Sequence, residues 1–355
     1  METIRILGVG DPAVYTYVDN WEKFIKPIEK EFDIKIDIQI YSFNEYYEKL
    51  MKAIKDDEYD IVMVAGHLWL PFFVEEGYLS PLYDDNNDGK LEDVLKSIKN
   101  EMYYKDQQFL YPSFCDGHIL VYRKNRLDIQ IRDSISILDI VKQLQKQRPN
   151  KQFALKSHPS EIFLDILPYF RALKVDFMND VKMIDSNDLK VEEAIQLYKT
   201  AMSFCGLNVE TFGNEEVMKS LQSGDVDMAV TWGGQLGAVM GEECVKPEEL
   251  GFAALKESWN VTWSFGLNAN SKNKNLATKV MEKLSEKEVD KEVGRKCGNP
   301  TRFSNFLEDE AKYPWYDVTR KMIENAEALP STPYLPEAMQ ILTNIVIERL
   351  YNKGV

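Results

Sequence analysis

Cysteine is scarce in this chain, histidine scarcer still, and long apolar runs are missing altogether. The four cysteines, Cys115, Cys205, Cys244 and Cys297, are too few and too scattered for a disulfide framework, and no CxxC spacing suggests zinc. They read as free thiols in or near cores. The three histidines, His67, His118 and His158, stand in no motif, and GxSxG, HExxH and glycine-rich nucleotide loops are all absent. That leaves no cofactor motif and no signature of an enzyme; a hydrolase built on a carboxylate pair, which has no sequence signature, is the remaining enzyme alternative. No apolar run reaches the roughly 18 residues of a membrane span, and residues 1–30 pattern as an amphipathic strand and helix, not a signal peptide. Nor is there a run of Lys and Arg. With 43 basic against 58 acidic residues the net charge is −15, which repels phosphate backbones and argues against nucleic acid as a partner.

What the chain does have is the composition of a soluble globular protein, 44% hydrophobic and 28% charged. Its 355 residues suit two lobes at roughly 100 to 200 residues per domain. The opening third alternates strand and helix signals. An apolar strand at 4–10 precedes a helix, 21–32, with Trp21, Phe24, Ile25, Ile28 and Phe32 at helical spacing; "IKIDIQI" then places Ile34, Ile36, Ile38 and Ile40 on one face. A helical stripe through Phe43, Tyr46, Tyr47, Leu50, Met51 and Ile54 leads to the apolar strand 59–66. This β-α-β-α-β order implies a parallel sheet covered on both faces, with its ligand edge beyond the carboxyl ends of the strands. A helix near 91–99 and a strand at 118–123 follow. Helices at 134–147, 160–173, 190–204 and 214–222, with strands at 153–155, 226–231 and 250–255, require a second sheet; after a strand at 263–269 the chain is mainly helical from 275, with a proline-rich joint at 330–336.

Five phrases in this order, "YDIVMVAGHLWLPFFVEEGYLSPLYD" (59–84), "FLYPSFCDGHILVYRKNRLD" (109–128), "SLQSGDVDMAVTWGGQLG" (220–237), "WSFGLNANSKNKNLATKVMEKLS" (263–285) and "GNPTRFSNF" (298–306), resemble the extracellular solute-binding proteins of ATP-binding-cassette importers. The carbohydrate-binding family that includes maltose-binding protein is the nearest class. The resemblance implies an α/β, two-lobed periplasmic-binding-protein fold of type II, each lobe a mainly parallel sheet flanked by helices. Residues 1–112 plus 263–310 would form the first lobe and 113–262 the second, with crossovers near 111–116 and 257–263, and 311–355 would be C-terminal helices bracing the second lobe and the hinge. It further implies a monomer that closes around a small solute and delivers it to a membrane permease, with no chemistry done on the solute. The location would be the extracellular face of the membrane or the periplasm, with a lipid anchor and a leader that this sequence does not carry.

Candidate ligand residues follow from this frame, each with a plainer alternative. Trp232, at the end of a strand and before Gly233 and Gly234, would give a sugar ring a flat apolar face, or else pack in a core. His67 and Trp69 lie in "GHLWLP", read as a loop after a strand, and Trp263 begins a strand. Asp11 would meet ligand or cap a helix, with Tyr15 nearby. Phe114 and Asp116 sit in the first crossover, where Asp116 could instead turn the chain with Gly117. His158, with Ser160, stands where maltose-binding members carry an acidic and an aromatic contact, a departure that puts maltodextrin specificity in doubt. Gln235, Arg302 and Tyr334 complete the set; Arg302 is a ligand clamp or a surface ion pair, and Tyr334 a contact or a packed loop ring. In "DDNNDGKLEDVL" (84–95), Asp84, Asn86 and Asp88 match a calcium loop, but Leu95 stands where the bidentate Glu should be, so an Asx/Gly turn is favoured over a metal site. Several aromatics with a few polar groups favour a mono- or oligosaccharide; the alternative keeps the fold for a polyamine, peptide, metal chelate or organic anion, the anion being disfavoured because Arg302 is the sole basic candidate.

Overall fold

The computed structural model describes residues 2–56, 58–82, 90–127, 131–146, 153–175, 178–179, 182–183, 188–296 and 299–351. Backbone contacts divide the chain into two compact units. The first is Met1–Asp116, Asn260–Tyr313 and Ser331–Pro333; the second is Gly117–Trp259, Pro314–Pro330 and Tyr334–Val355. Each is built on one five-stranded sheet. In chain order the strands of these two sheets are β1 (Glu2–Gly10), β2 (Ile34–Ser42), β3 (Ile61–Ala65), β4 (Leu110–Asp116), β5 (His118–Arg123), β6 (Ser134–Ile135), β7 (Phe153–Leu155), β8 (Met228–Trp232), β9 (Leu250–Leu255) and β10 (Val261–Leu267).

In the first unit the order is β2-β1-β3-β10-β4. β1 runs parallel to β2, from Glu2 opposite Ile34 to Gly10 opposite Ser42, and parallel to β3. All five residues of β3 are buried, as a strand covered on both faces requires. At the sheet edge the alternation of β2 fades: Ile34 and Ile36 are buried, whereas Ile38 and Ile40 are half-buried. The helix Trp21–Phe32 covers the sheet with Phe24, Ile25 and Ile28 and stops at Asp33, which takes the left-handed conformation at φ 52°.

The second unit orders its strands β6-β9-β5-β8-β7 and is flanked by the helices Ile137–Lys146, Ile162–Ala172, Leu189–Met202 and Asn214–Ser223. The C-terminal helices Tyr316–Asn325 and Leu335–Tyr351 belong to it, the latter burying Leu335, Ala338, Leu342 and Val346.

Each sheet contains one strand that runs against the other four: β10 in the first unit and β5 in the second. Both are the strands by which the chain enters a unit from the other, just after Asn260 and Gly117. One edge of each sheet therefore gathers the carboxyl ends of four strands and the amino end of the fifth. In α/β sheets that edge is where ligands bind.

Several elements depart from the sequence reading. "GHLWLP" is the start of a helix, Gly66–Glu75, not a loop. No side chain caps its beginning, and Pro71 lies inside it. The helix expected near 91–99 shortens to Lys96–Asn100, and that expected at 134–147 resolves into β6 and the helix Ile137–Lys146. Strand β4 and the first residues of β10, Val261–Thr262, were not read as strand; they lie in the stretches expected as crossovers, near 111–116 and 257–263, and the chain changes unit at Asp116–Gly117 and Trp259–Asn260. Cys115, Cys205 and Cys244 are free and buried; Cys297 lies outside the described residues. So do Asp84, Asn86 and Asp88, and among the described residues no cluster of three metal-binding side chains occurs. No helix of the described residues is long and apolar enough to cross a membrane.

Candidate functional site

At the ligand edge of the first unit the aromatic residues converge. Trp263, the third residue of β10, is paired with Ala65 on one side and Phe114 on the other. Its ring is met edge-on by Trp69 at 5.5 Å, Tyr46 at 5.8 Å and Phe43 at 6.3 Å, while Tyr47 lies 5.0 Å from Trp69 and Phe73 stacks on Trp69 at 5.9 Å. These are the offset and edge-to-face arrangements that aromatic quadrupoles favour. Tyr46 and Phe73 are enclosed, whereas Phe43 and Tyr47 remain 50% and 39% exposed, so the cluster presents a solvent-exposed aromatic surface on a buried base.

Beneath it lies a buried polar knot. The Glu101 carboxylate accepts from Thr262 Oγ1 at 2.5 Å and Asn260 Nδ2 at 3.0 Å. Burial outweighs both bonds and pushes its pKa up to about 8, so the group is mainly protonated at neutral pH. His67 Nδ1 sits 3.0 Å from the Thr262 carbonyl and 3.2 Å from its amide, and burial holds the imidazole down to about 3, hence neutral. The same strand end thus carries Trp263 above and the Glu101–Thr262–His67 knot below.

The second unit's edge is built differently. Trp232 closes β8 opposite His118, the first residue of β5, and the two rings lie 4.0 Å apart. His118 Nε2 donates to Asp165 Oδ1 at 3.1 Å. Lys156, just past β7, pairs with Glu161 and lies 3.7 Å from Asp165, its ammonium 5.7 Å from the centre of the Trp232 ring. Trp232 is only 7% exposed, with His118 against its ring. The following Gly233 and Gly234 are buried in a 3₁₀ turn, and the Gly233 amide bonds the Gly117 carbonyl at 2.8 Å.

The remaining expected residues divide by place. Asp11 caps the helix Pro12–Asp19 by accepting from the Ala13 amide at 2.8 Å, and Tyr15 is exposed on that helix. Phe114 is buried within β4, and Asp116 ends that strand half-buried. His158 is exposed and hydrogen-bonded to Ser160 Oγ at 2.7 Å. Gln235 is half-buried in the turn after Trp232, and Tyr334 is exposed ahead of the last helix. Arg302 is neither a clamp at the edge nor a surface pair: it is buried, donating to the Lys90 carbonyl at 3.1 Å and the Ser285 carbonyl at 2.8 Å. A guanidinium removed from water takes backbone oxygens as its acceptors. Of the twelve, the structure joins Trp69 to Trp263 directly and sets His67 and Phe114 beside the same strand end. Sequence reading missed Phe43 and Tyr47, which look like core in a helical stripe, and Glu101, Lys156 and Asp165, whose partners are far away in sequence.

The model of the family described as bacterial extracellular solute-binding protein matches residues 16–291. Among relatives, the spermidine/putrescine-binding periplasmic protein of Salmonella typhimurium is 22% identical over 292 residues, covering 80% of this chain and 76% of that protein. Among solved structures, maltose-bound MalE3 of T. maritima superposes with a TM-score of 0.84 at 17% identity, covering 100% of this chain and 96% of that one. A solute-binding protein of Agrobacterium radiobacter in complex with ribitol gives 0.86 at 17% identity, covering 99% and 94%; one of Agrobacterium vitis with bound D-mannitol gives 0.82 at 15%, covering 100% and 94%. These neighbours share the two-lobed maltose-binding-protein-like fold, and they are binding proteins, not enzymes. Proteins of this family work outside the cytoplasm, binding small solutes for delivery to the permease of an ATP-binding-cassette importer. With a family match over most of its length and sheets whose ligand edges are lined by rings and hydrogen-bonding groups, this chain belongs to the bacterial extracellular solute-binding proteins.

Proposed function

We propose that the solute is a mono- or oligosaccharide or a sugar alcohol. The observation that carries this reading is the aromatic surface at the first unit's edge, where Phe43, Tyr47 and Trp69 stand over Trp263. The CH face of a pyranose or polyol chain suits such a surface, and hydroxyls find partners in nearby polar groups. Maltose, ribitol and D-mannitol in the solved neighbours support the same class. Asp11, Tyr15, Trp69 and Trp263 are the first unit's proposed contacts, and His158, Trp232 and Gln235 those of the second. The chain acts as a monomer, lipid-anchored at the outer face of the membrane.

One second reading has its own support: a polyamine, from the name of the Salmonella relative and the −15 net charge, since ammonium groups also bind aromatic faces. A thermal-shift screen of the purified protein separates the two, because a ligand bound only by the native state raises the melting temperature. A shift with a sugar or polyol series supports the proposal. Silence there with a shift from spermidine or putrescine replaces it by the polyamine reading.

A further inference from the structure

The second unit carries a groove of about 320 Å³, lined by no aromatic side chain, between the helix Ile137–Lys146 and the strand β6. Four cations line it: Arg132, Lys142, Lys146 and Lys256, with Asp139 as the one acid in the lining. They come from three places, the segment before β6, one face of the helix and the residue after β9, so no basic run marks them in the sequence. Asp139 engages Lys142 weakly, at 3.9 Å. Arg132, Lys146 and Lys256 have no carboxylate partner among the described residues, in a chain with 58 acidic against 43 basic residues. The acids next in sequence to Arg132 and Lys256 are engaged elsewhere: Asp133 by Lys321 at 3.0 Å, and Glu257 by the Ser136 hydroxyl at 2.6 Å and the Ile137 amide at 3.0 Å. Lys142 and Lys146 stand one helical turn apart, a like-charge pair that costs stability unless an anion lies between them. Ser134 and Gln143 add neutral donors to the same wall.

We infer that this groove binds a phosphate-class anion, either free or as the headgroup of an anionic lipid. The inference does not depend on the identity of the transported solute. Four cations and two neutral donors lining one groove match the several acceptor oxygens of a phosphate, and bonds between charged groups of this kind are the strong ones. Water-exposed cations make the affinity modest and dependent on salt.

The test compares inorganic phosphate with chloride at equal ionic strength by titration calorimetry on the full chain, and in parallel measures co-sedimentation with phosphatidylcholine vesicles with and without phosphatidylglycerol. Variants are R132Q/K256Q in the groove and K35Q/K52Q, of equal charge change, on the exposed surface of the first unit. Binding of phosphate, of phosphatidylglycerol vesicles or of both, weakened about tenfold or more in R132Q/K256Q and less than twofold in the control pair, bears the inference out and identifies the source. Equal responses to chloride and phosphate with no vesicle binding, or wild-type affinity in R132Q/K256Q, overturns it. Melting curves without added anion show that both double variants are folded.

Discussion

Glu101 is a protonated carboxyl held where an ionised one would be costly, and that has a consequence in pH. Its pKa is about 8 in the folded chain against an ordinary 4.5, so the folded state retains a proton that the unfolded state loses. The stability it contributes is full below about pH 4.5 and is lost as pH rises through about 8. His67 acts in the opposite sense, because its neutral form is favoured down to about 3; its contribution is full above 6.5 and lost as pH falls toward 3. Between pH 6.5 and 8 only Glu101 matters of the two. Urea unfolding across that window should show stability falling by up to about 1.4 kcal/mol per pH unit in the wild type. The same series in Glu101→Gln should be nearly flat. A variant with the wild-type slope would assign the pH dependence to other groups. A second residue-scale expectation concerns Lys156, buried beside Glu161 and Asp165. Lys156→Met leaves both acids without their cation and should lower stability by about 2 to 3 kcal/mol, less than the loss in a fully enclosed pair because Glu161 keeps some water contact. Trp69→Ala, in contrast, should weaken solute binding by about 1 to 3 kcal/mol while the melting temperature moves little, since Trp69 is half-buried on the surface of its cluster.

At the scale of elements, the strands that enter each unit set the geometry of the ligand edges, and Gly117 lies at one such entry. A Cβ there would approach the Met322 sulfur to 2.2 Å and the Trp259 carbonyl oxygen to 3.0 Å. The methionine can swing aside, but the backbone oxygen cannot. Gly117→Ala should therefore destabilise by about 1 to 3 kcal/mol, read as a lower urea midpoint. Apart from β4 and β6, the strands of both sheets were legible from apolar runs and alternation, because burial imposes those patterns directly. Helix Gly66–Glu75 was not, since it starts without a capping side chain and contains Pro71. β4 and the first residues of β10 were also missed. Their pairing joins residues some 150 positions apart, a long-range contact that local pattern does not encode. The site shows the same division. Trp69 and Trp263 were readable as large rings near strand ends, but the split of the Phe43–Ile54 stripe into buried Tyr46 and exposed Phe43 and Tyr47 depends on how that helix lies on its sheet.

For the whole molecule, family membership accounts for both the two-unit architecture and the absence of catalytic motifs. Binding a solute asks for shaped edges, rings and hydrogen-bond partners rather than a nucleophile and its base. The −15 charge coexists with a local cationic groove because folding, not sequence proximity, gathers Arg132, Lys142, Lys146 and Lys256. The central claim is the chemical class of the solute, and calorimetric titration of the purified chain tests it most directly. Mono- and oligosaccharides and sugar alcohols are titrated beside spermidine and putrescine. A saturable one-site heat with a member of the sugar or polyol series, lost or weakened in Trp69→Ala, is the expected result; saturation by a polyamine with no heat from any sugar or polyol would contradict it.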